Sequence, residues 1–214
     1  MNKLYVFLGA IILFGAAAIW TQRRDAAPSA QPVSVVADVG FEGYVAGSNS
    51  APVEIVEYAD FQCPACARHA ILTMPDVMQR MVNTGQVRWR FRDFPLDQIH
   101  PKSRSAHLAA ACADEQGKFW EMHDQLFYGQ NDWVNTRRHE RRFRDYARTV
   151  GLDLDQYNEC MSSQRYAGRV QAAQQEGFEA GVGSTPSFVI GGRLYSGVLA
   201  YDELRVIVDS LLAQ

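Results

Sequence analysis

The sequence predicts an α/β domain in which strands from both ends of the chain share one sheet and a helical block is inserted between them. Three observations carry this. The run Val53-Glu54-Ile55-Val56-Glu57-Tyr58-Ala59 is β-branched and apolar, and a helical pattern follows it closely. From about residue 100 to about residue 180 the periodicity is helical. Strand character returns only at Ser187-Phe188-Val189-Ile190, ahead of a hairpin and a closing amphipathic helix. A β–α–β unit, a helical block and a β–β–α unit place strands at both ends, and short unknotted connections gather them into one sheet.

The elements follow in order. Residues 4–20 form an apolar run of 17 behind Lys3, with Arg23 and Arg24 after it. Residues 1–21 are therefore expected to be a signal anchor or a signal peptide, with the retained anchor favoured. Residues 22–40, rich in Ala, Pro, Ser and Gln, read as a linker, and a single domain is expected over 41–214. Its first strand is predicted at 53–59 and its first helix from Cys63 to about residue 83, where Ile71, Leu72, Val77, Met78, Met81 and Val82 fall near a helical period. Thr84-Gly85-Gln86 makes a turn into a second strand at 87–91. Helices are predicted at 103–116, 119–128, 137–150 and 155–177, punctuated by Gly117, Gly129 and Gly151. Gly191-Gly192 reads as a two-residue hairpin turn before Arg193-Leu194-Tyr195, and residues 201–212 as the last helix.

Cys63-Pro64-Ala65-Cys66 sits at the strand-to-helix junction. Two thiols at that spacing can close into a disulfide with one sulfur near a helix N-terminus. Unpaired N–H groups and the helix dipole stabilise a thiolate there, which makes it an attacking or leaving group. A zinc site would want four ligands, usually as two close pairs, and Cys112 and Cys160 stand alone. A purely structural clip so short would remove little unfolded-state entropy. Redox chemistry is the reading that remains strongest.

Four cysteines in an exported chain imply oxidising surroundings. With Cys63 and Cys66 paired locally, Cys112 and Cys160 are natural companions, two buried free thiols being the alternative. A net charge of −3 gives no global pull toward nucleic acid. The basic cluster Arg137, Arg138, Arg141, Arg142 and Arg144 is interleaved with Glu140 and Asp145, which suggests i,i+4 pairs on a solvated helix face. Alternation along the first strand sets Glu57 on one face with Val53 and Ile55. Helices covering both faces would leave it in apolar surroundings, whereas an edge strand would leave it solvated. His69, three residues beyond Cys66, is expected to face solvent. His100, His107 and His123 show no ligand spacing, and Phe119, Trp120 and His123 read as packing residues of the helical block.

Asp60-Phe61-Gln62-Cys63-Pro64-Ala65-Cys66, Gln116-Gly117-Lys118-Phe119-Trp120 and Gly183-Ser184-Thr185-Pro186-Ser187-Phe188 resemble the DsbA-like thiol–disulfide oxidoreductases, in the branch with a second cysteine pair. The likeness covers roughly residues 41–214. It implies a thioredoxin-like fold with a helical insertion, an exported location, cysteine-containing exported proteins as substrates and no cofactor or metal. It also implies a membrane redox partner that recycles the active disulfide. Carried over residue by residue, Cys63 is the exposed nucleophile and Cys66 the buried resolving thiol. Glu57 matches an acid implicated in proton transfer, and Thr185-Pro186 matches a cis-proline motif that faces the disulfide and presents backbone to substrate. Strong oxidants of the family carry a histidine between the cysteines. With Pro64-Ala65 instead, the helix N-terminus is the main visible support for the thiolate, and a weaker oxidant is expected. Net oxidation is the leading direction. Reduction or isomerisation is the alternative, and a thiolate-based metal carrier or a non-catalytic binding domain is the alternative of another class.

Overall fold

The computed structural model describes residues 30–32 and 40–213. The expected anchor at 1–21 lies outside the described residues, as does most of the expected linker. The strands are β1 (Ala30–Pro32), β2 (Tyr44–Ala46), β3 (Val53–Ala59), β4 (Val87–Asp93), β5 (Ser187–Ile190) and β6 (Arg193–Ser196). They form one mixed sheet in the order β1-β6-β5-β3-β4-β2, so strands from both ends of the domain do meet at its centre. β3 runs parallel to β4 and antiparallel to β5, and every other pairing is antiparallel. β1 falls inside the stretch expected to be linker, where its backbone pairs with the outer edge of β6. β1 and β2 span three residues each, too short for a period to declare itself.

The first helix departs from its expected length. It is α1 (Pro64–Leu72), then α2 (Met74–Val77), then a π-helical turn at Met78–Val82. Pro75 has no N–H to give and its ring crowds the carbonyl four residues back, so the chain restarts there. The π turn closes through Asn83 N–H to the Met78 carbonyl at 2.9 Å. The predicted helix at 155–177 is likewise two, α7 (Leu154–Ser162) and α8 (Ala167–Glu179). Between them the Ser162 and Ser163 hydroxyls donate to the carbonyls of Glu159 and Cys160, and Gln164 takes φ 50°. Asp153 caps α7 by accepting from the N–H groups of Asp155 and Gln156.

The remaining helices of the insertion are α3 (Ser103–Asp114), α4 (Phe119–Tyr128), α5 (Gln130–Val134) and α6 (His139–Thr149), and α9 (Tyr201–Leu212) closes the domain. α5 was not expected. On α6, Asp145 pairs with Arg148 where the sequence suggested Arg141. The Ala-rich face of α3 is buried at Ala106, Ala109, Ala110 and Ala113, and small side chains there let the helices approach closely. One face of the sheet carries α1, α2 and α9 over Val53, Ile55, Trp89, Phe188 and Ile190. Tyr58, on the opposite face, is met by α8. A Cβ at Gly177 would fall 2.5 Å from the Phe94 ring and 3.0 Å from Tyr58, so only glycine allows that approach. The β5–β6 turn takes φ 55° at Gly191 and 72° at Gly192, the left-handed pair a two-residue hairpin demands.

Candidate active site

β3 leads through Asp60-Phe61-Gln62 into α1, with Cys63 at the N-cap in an extended conformation. The Cys63 N–H donates to the Asp60 carbonyl at 3.0 Å, and Ala67 N–H donates to the Cys63 carbonyl at 3.1 Å. Side chains hold this loop from below. Asp60 is fully buried and accepts from Gln62 N–H at 2.7 Å, Leu96 N–H at 2.8 Å, His100 Nδ1 at 2.7 Å and the Ser103 hydroxyl. Burial alone would raise its pKa, but the hydrogen bonds from His100, Ser103 and Leu96 and the nearby His107 hold it below its ordinary value. Gln130 on α5 donates to the carbonyls of Phe61 and Cys63 at 2.7 and 3.0 Å. Lys102 N–H donates to Gln62 Oε1 at 2.8 Å. The α3–α5 block therefore fixes the motif's backbone.

Cys63 and Cys66 are both free thiols in this structure. Cys63 is 7% exposed and Cys66 is fully buried, so the sulfur expected to stand open is itself largely covered. The Cys63 thiol donates to the Thr185 carbonyl at 3.4 Å, just ahead of the cis Thr185–Pro186 bond. The two thiols are electrostatically unequal. Hydrogen bonding from Cys66 brings Cys63 down to about 5 against the opposing effect of burial, with Thr185 and the N–H groups of Cys66 and Ala65 adding to it. Burial pushes Cys66 well above its ordinary value. The Asp60 N–H lies 3.5 Å from the Cys66 sulfur.

Glu57 is 2% exposed, on the central strand between Phe188 of β5 and Phe91 of β4, which excludes the solvated edge position. Burial raises its carboxyl to about 7, although Trp89 Nε1 donates to it at 3.1 Å. His69 corrects an expectation. It is fully buried between Trp89 and Phe188, not solvent-facing, with ring centroids 6.0 and 4.8 Å away. A residue three past Cys66 shares its helix face, and that face packs on the sheet. Desolvation lowers His69 to about 4, keeping it neutral.

Phe119 and His123 are buried in the helical block, and Trp120 spans two core clusters with Nε1 donating to the Val45 carbonyl at 3.1 Å. Cys112 of α3 and Cys160 of α7 are joined in a disulfide that ties two helices of that block. Among the described residues no three of His, Cys, Asp and Glu gather as metal ligands would. Trp89, Ser103 and Gln130 were not singled out from the sequence, Asp60 entered only as part of the motif, and His100 only as a histidine without ligand spacing. Asp60, an acid three residues before a thiol, was the one readable hint, since the other four reach the site only through folding.

Residues 41–210 match the family model described as Thioredoxin. The chain belongs to the thioredoxin family. BdbD from Bacillus subtilis, in its oxidised crystal structure, superposes with a TM-score of 0.74 at 21% identity, covering 87% of this chain and 99% of that one. A protein of Bacillus anthracis named probable disulfide bond formation protein D is 23% identical over 78% of this chain and 76% of its own length. The Na(+)/H(+) antiporter NhaA 3 of Salinispora tropica is 37% identical over 79% of this chain. The match spans about a quarter of that relative's length (25%). No helix among the described residues is long and apolar enough to cross a membrane.

Proposed function

We propose that this protein oxidises cysteine pairs in exported proteins through the Cys63–Cys66 disulfide. The observation that carries the reading is the inequality of the two sulfurs: a Cys63 thiol held near 5 beside a Cys66 thiol pushed far up. In the oxidised protein a substrate thiolate attacks Cys63 Sγ, the Cys63–Cys66 bond breaks, and Cys66 leaves with the electron pair. Cys66 is then protonated, with Glu57, titrating near 7 in the same core, as the donor in this reading. A second substrate thiolate attacks the substrate sulfur of the mixed disulfide and expels Cys63 as a thiolate. Two electrons pass to the protein and one disulfide forms in the substrate. A low leaving-group pKa speeds that last step, which favours net oxidation over reduction or isomerisation. The Thr185 backbone beside Cys63 suits strand-like pairing with an extended substrate segment.

The Leu4–Trp20 apolar run and the Cys112–Cys160 bridge support export to an oxidising compartment, with residues 1–21 as the anchor and a membrane redox partner restoring the disulfide. The test is oxidative refolding of a reduced, disulfide-containing substrate with catalytic amounts of the disulfide form. Cys63→Ser should abolish catalysis, and Cys66→Ser should accumulate mixed disulfides visible on non-reducing gels. Full activity in Cys63→Ser, or faster reduction than oxidation by the wild type, would overturn the reading.

A further inference from the structure

The loop after β4 brings a histidine to the motif that the space between the cysteines lacks. His100 Nδ1 bonds Asp60 Oδ2 at 2.7 Å, and Asp60 is the residue whose carbonyl holds the Cys63 N–H at 3.0 Å and whose N–H faces the Cys66 sulfur at 3.5 Å. One residue thus couples the imidazole to both sulfurs. Asp60 is fully buried, whereas the His100 side chain keeps 15% exposure. We propose that His100, held by Asp60, is a cationic positioning residue that stabilises the Cys63 thiolate of the reduced protein and so makes the Cys63–Cys66 couple more oxidising. The inference rests on the redox reading above and deepens it.

The surrounding charges agree with this role. His100 is raised above its ordinary value, first by the hydrogen bond to Asp60, against desolvation, and then by the charges of Asp60 and Cys63. On Asp60, burial works to raise the carboxyl while His100, His107, Ser103 and Leu96 lower it, so its negative charge is met on several sides. The other titratable groups nearby have hydrogen-bond or ion-pair partners of their own. His107 Nδ1 is bonded to Asp93 at 2.6 Å, both fully buried. Lys102 Nζ donates to the carbonyls of Val134 and Thr136. Asp97 is met by Arg104. His100 is left as the partly exposed titratable group tied to the motif through Asp60. The proton balance is simple: reduction delivers two electrons and leaves Cys66 as thiol and Cys63 as thiolate, the imidazolium keeping its own proton. Because a charge that favours the thiolate favours the dithiol form, it raises the potential.

The first experiment needs no variant. His100 is titrated by nuclear magnetic resonance in the oxidised and reduced wild-type protein, with the resonance assigned by comparison with His100→Gln. By linkage its protonation constant should be about three- to tenfold higher in the reduced state, the range expected of one partly solvated opposite charge. The second experiment titrates thiolate absorbance and the glutathione equilibrium in His100→Gln, where the amide still donates to Asp60. The Cys63 acid constant should weaken by the same factor, and the equilibrium should move by that factor toward the protein disulfide. An identical His100 titration in the two redox states would overturn the proposal whether or not the variant folds. Failure of the wild type to exchange with glutathione would instead overturn the redox reading, so the two failures are distinguishable.

Discussion

Glu57→Gln gives the sharpest test of the buried acid. In the folded protein the Glu57 carboxyl titrates near 7 instead of at its ordinary 4.5, because burial disfavours its charged form. Raising an acid's pKa on folding means the native state binds more protons than the unfolded chain between those two values. Stability therefore falls as pH rises through that window. The 2.5 pH units between 4.5 and about 7, at about 1.36 kcal/mol each, come to about 3 kcal/mol. Gln keeps an acceptor for Trp89 Nε1 and carries no charge at any pH. Denaturant unfolding of the oxidised proteins, in which Cys66 cannot titrate, isolates the effect. Below about pH 4.5 wild type and variant should be similarly stable, and above about pH 7 the variant should be more stable by about 3 kcal/mol. A difference that stays flat from pH 4 to pH 9, or slopes the other way, would refute the account of Glu57.

Two further outcomes are expected. Removing the helical-block disulfide with Cys112→Ala and Cys160→Ala frees a loop closed across 48 residues, worth about 4 kcal/mol in the chain-entropy model. The denaturation midpoint should drop while the Cys63–Cys66 equilibrium with glutathione stays in place, and an unchanged midpoint would contradict a stabilising role. Ala65→His should lower the Cys63 pKa further and raise the potential. An unchanged thiolate titration would mean that Cys66, Thr185 and the local N–H groups already set the field alone.

The redox strength is where sequence and structure diverge most. With no histidine inside the motif, the helix N-terminus was the main visible support for a Cys63 thiolate. The structure adds the Cys66 thiol and Thr185 from 122 residues away. Thr185 arrives from an element whose placement depends on the whole sheet.

Local patterns determined the rest by themselves. The β3 run, the Gly191–Gly192 turn, the α9 helix and the strand-to-helix position of Cys63 are short-range features, set by side-chain period, glycine freedom and helix-end chemistry. Pro75 carried its break in plain view, yet the apolar period running across it read as continuous helix. The three-residue edge strands had no period to read. Only the tertiary structure decided which face of α1 would be covered, and with it the burial of His69. Only it enclosed Glu57 on the central strand and joined Asp60 to His100 beneath the motif. The physical reason is that desolvation and long-range hydrogen bonding belong to the packed assembly, and they are what shift the titration of these groups.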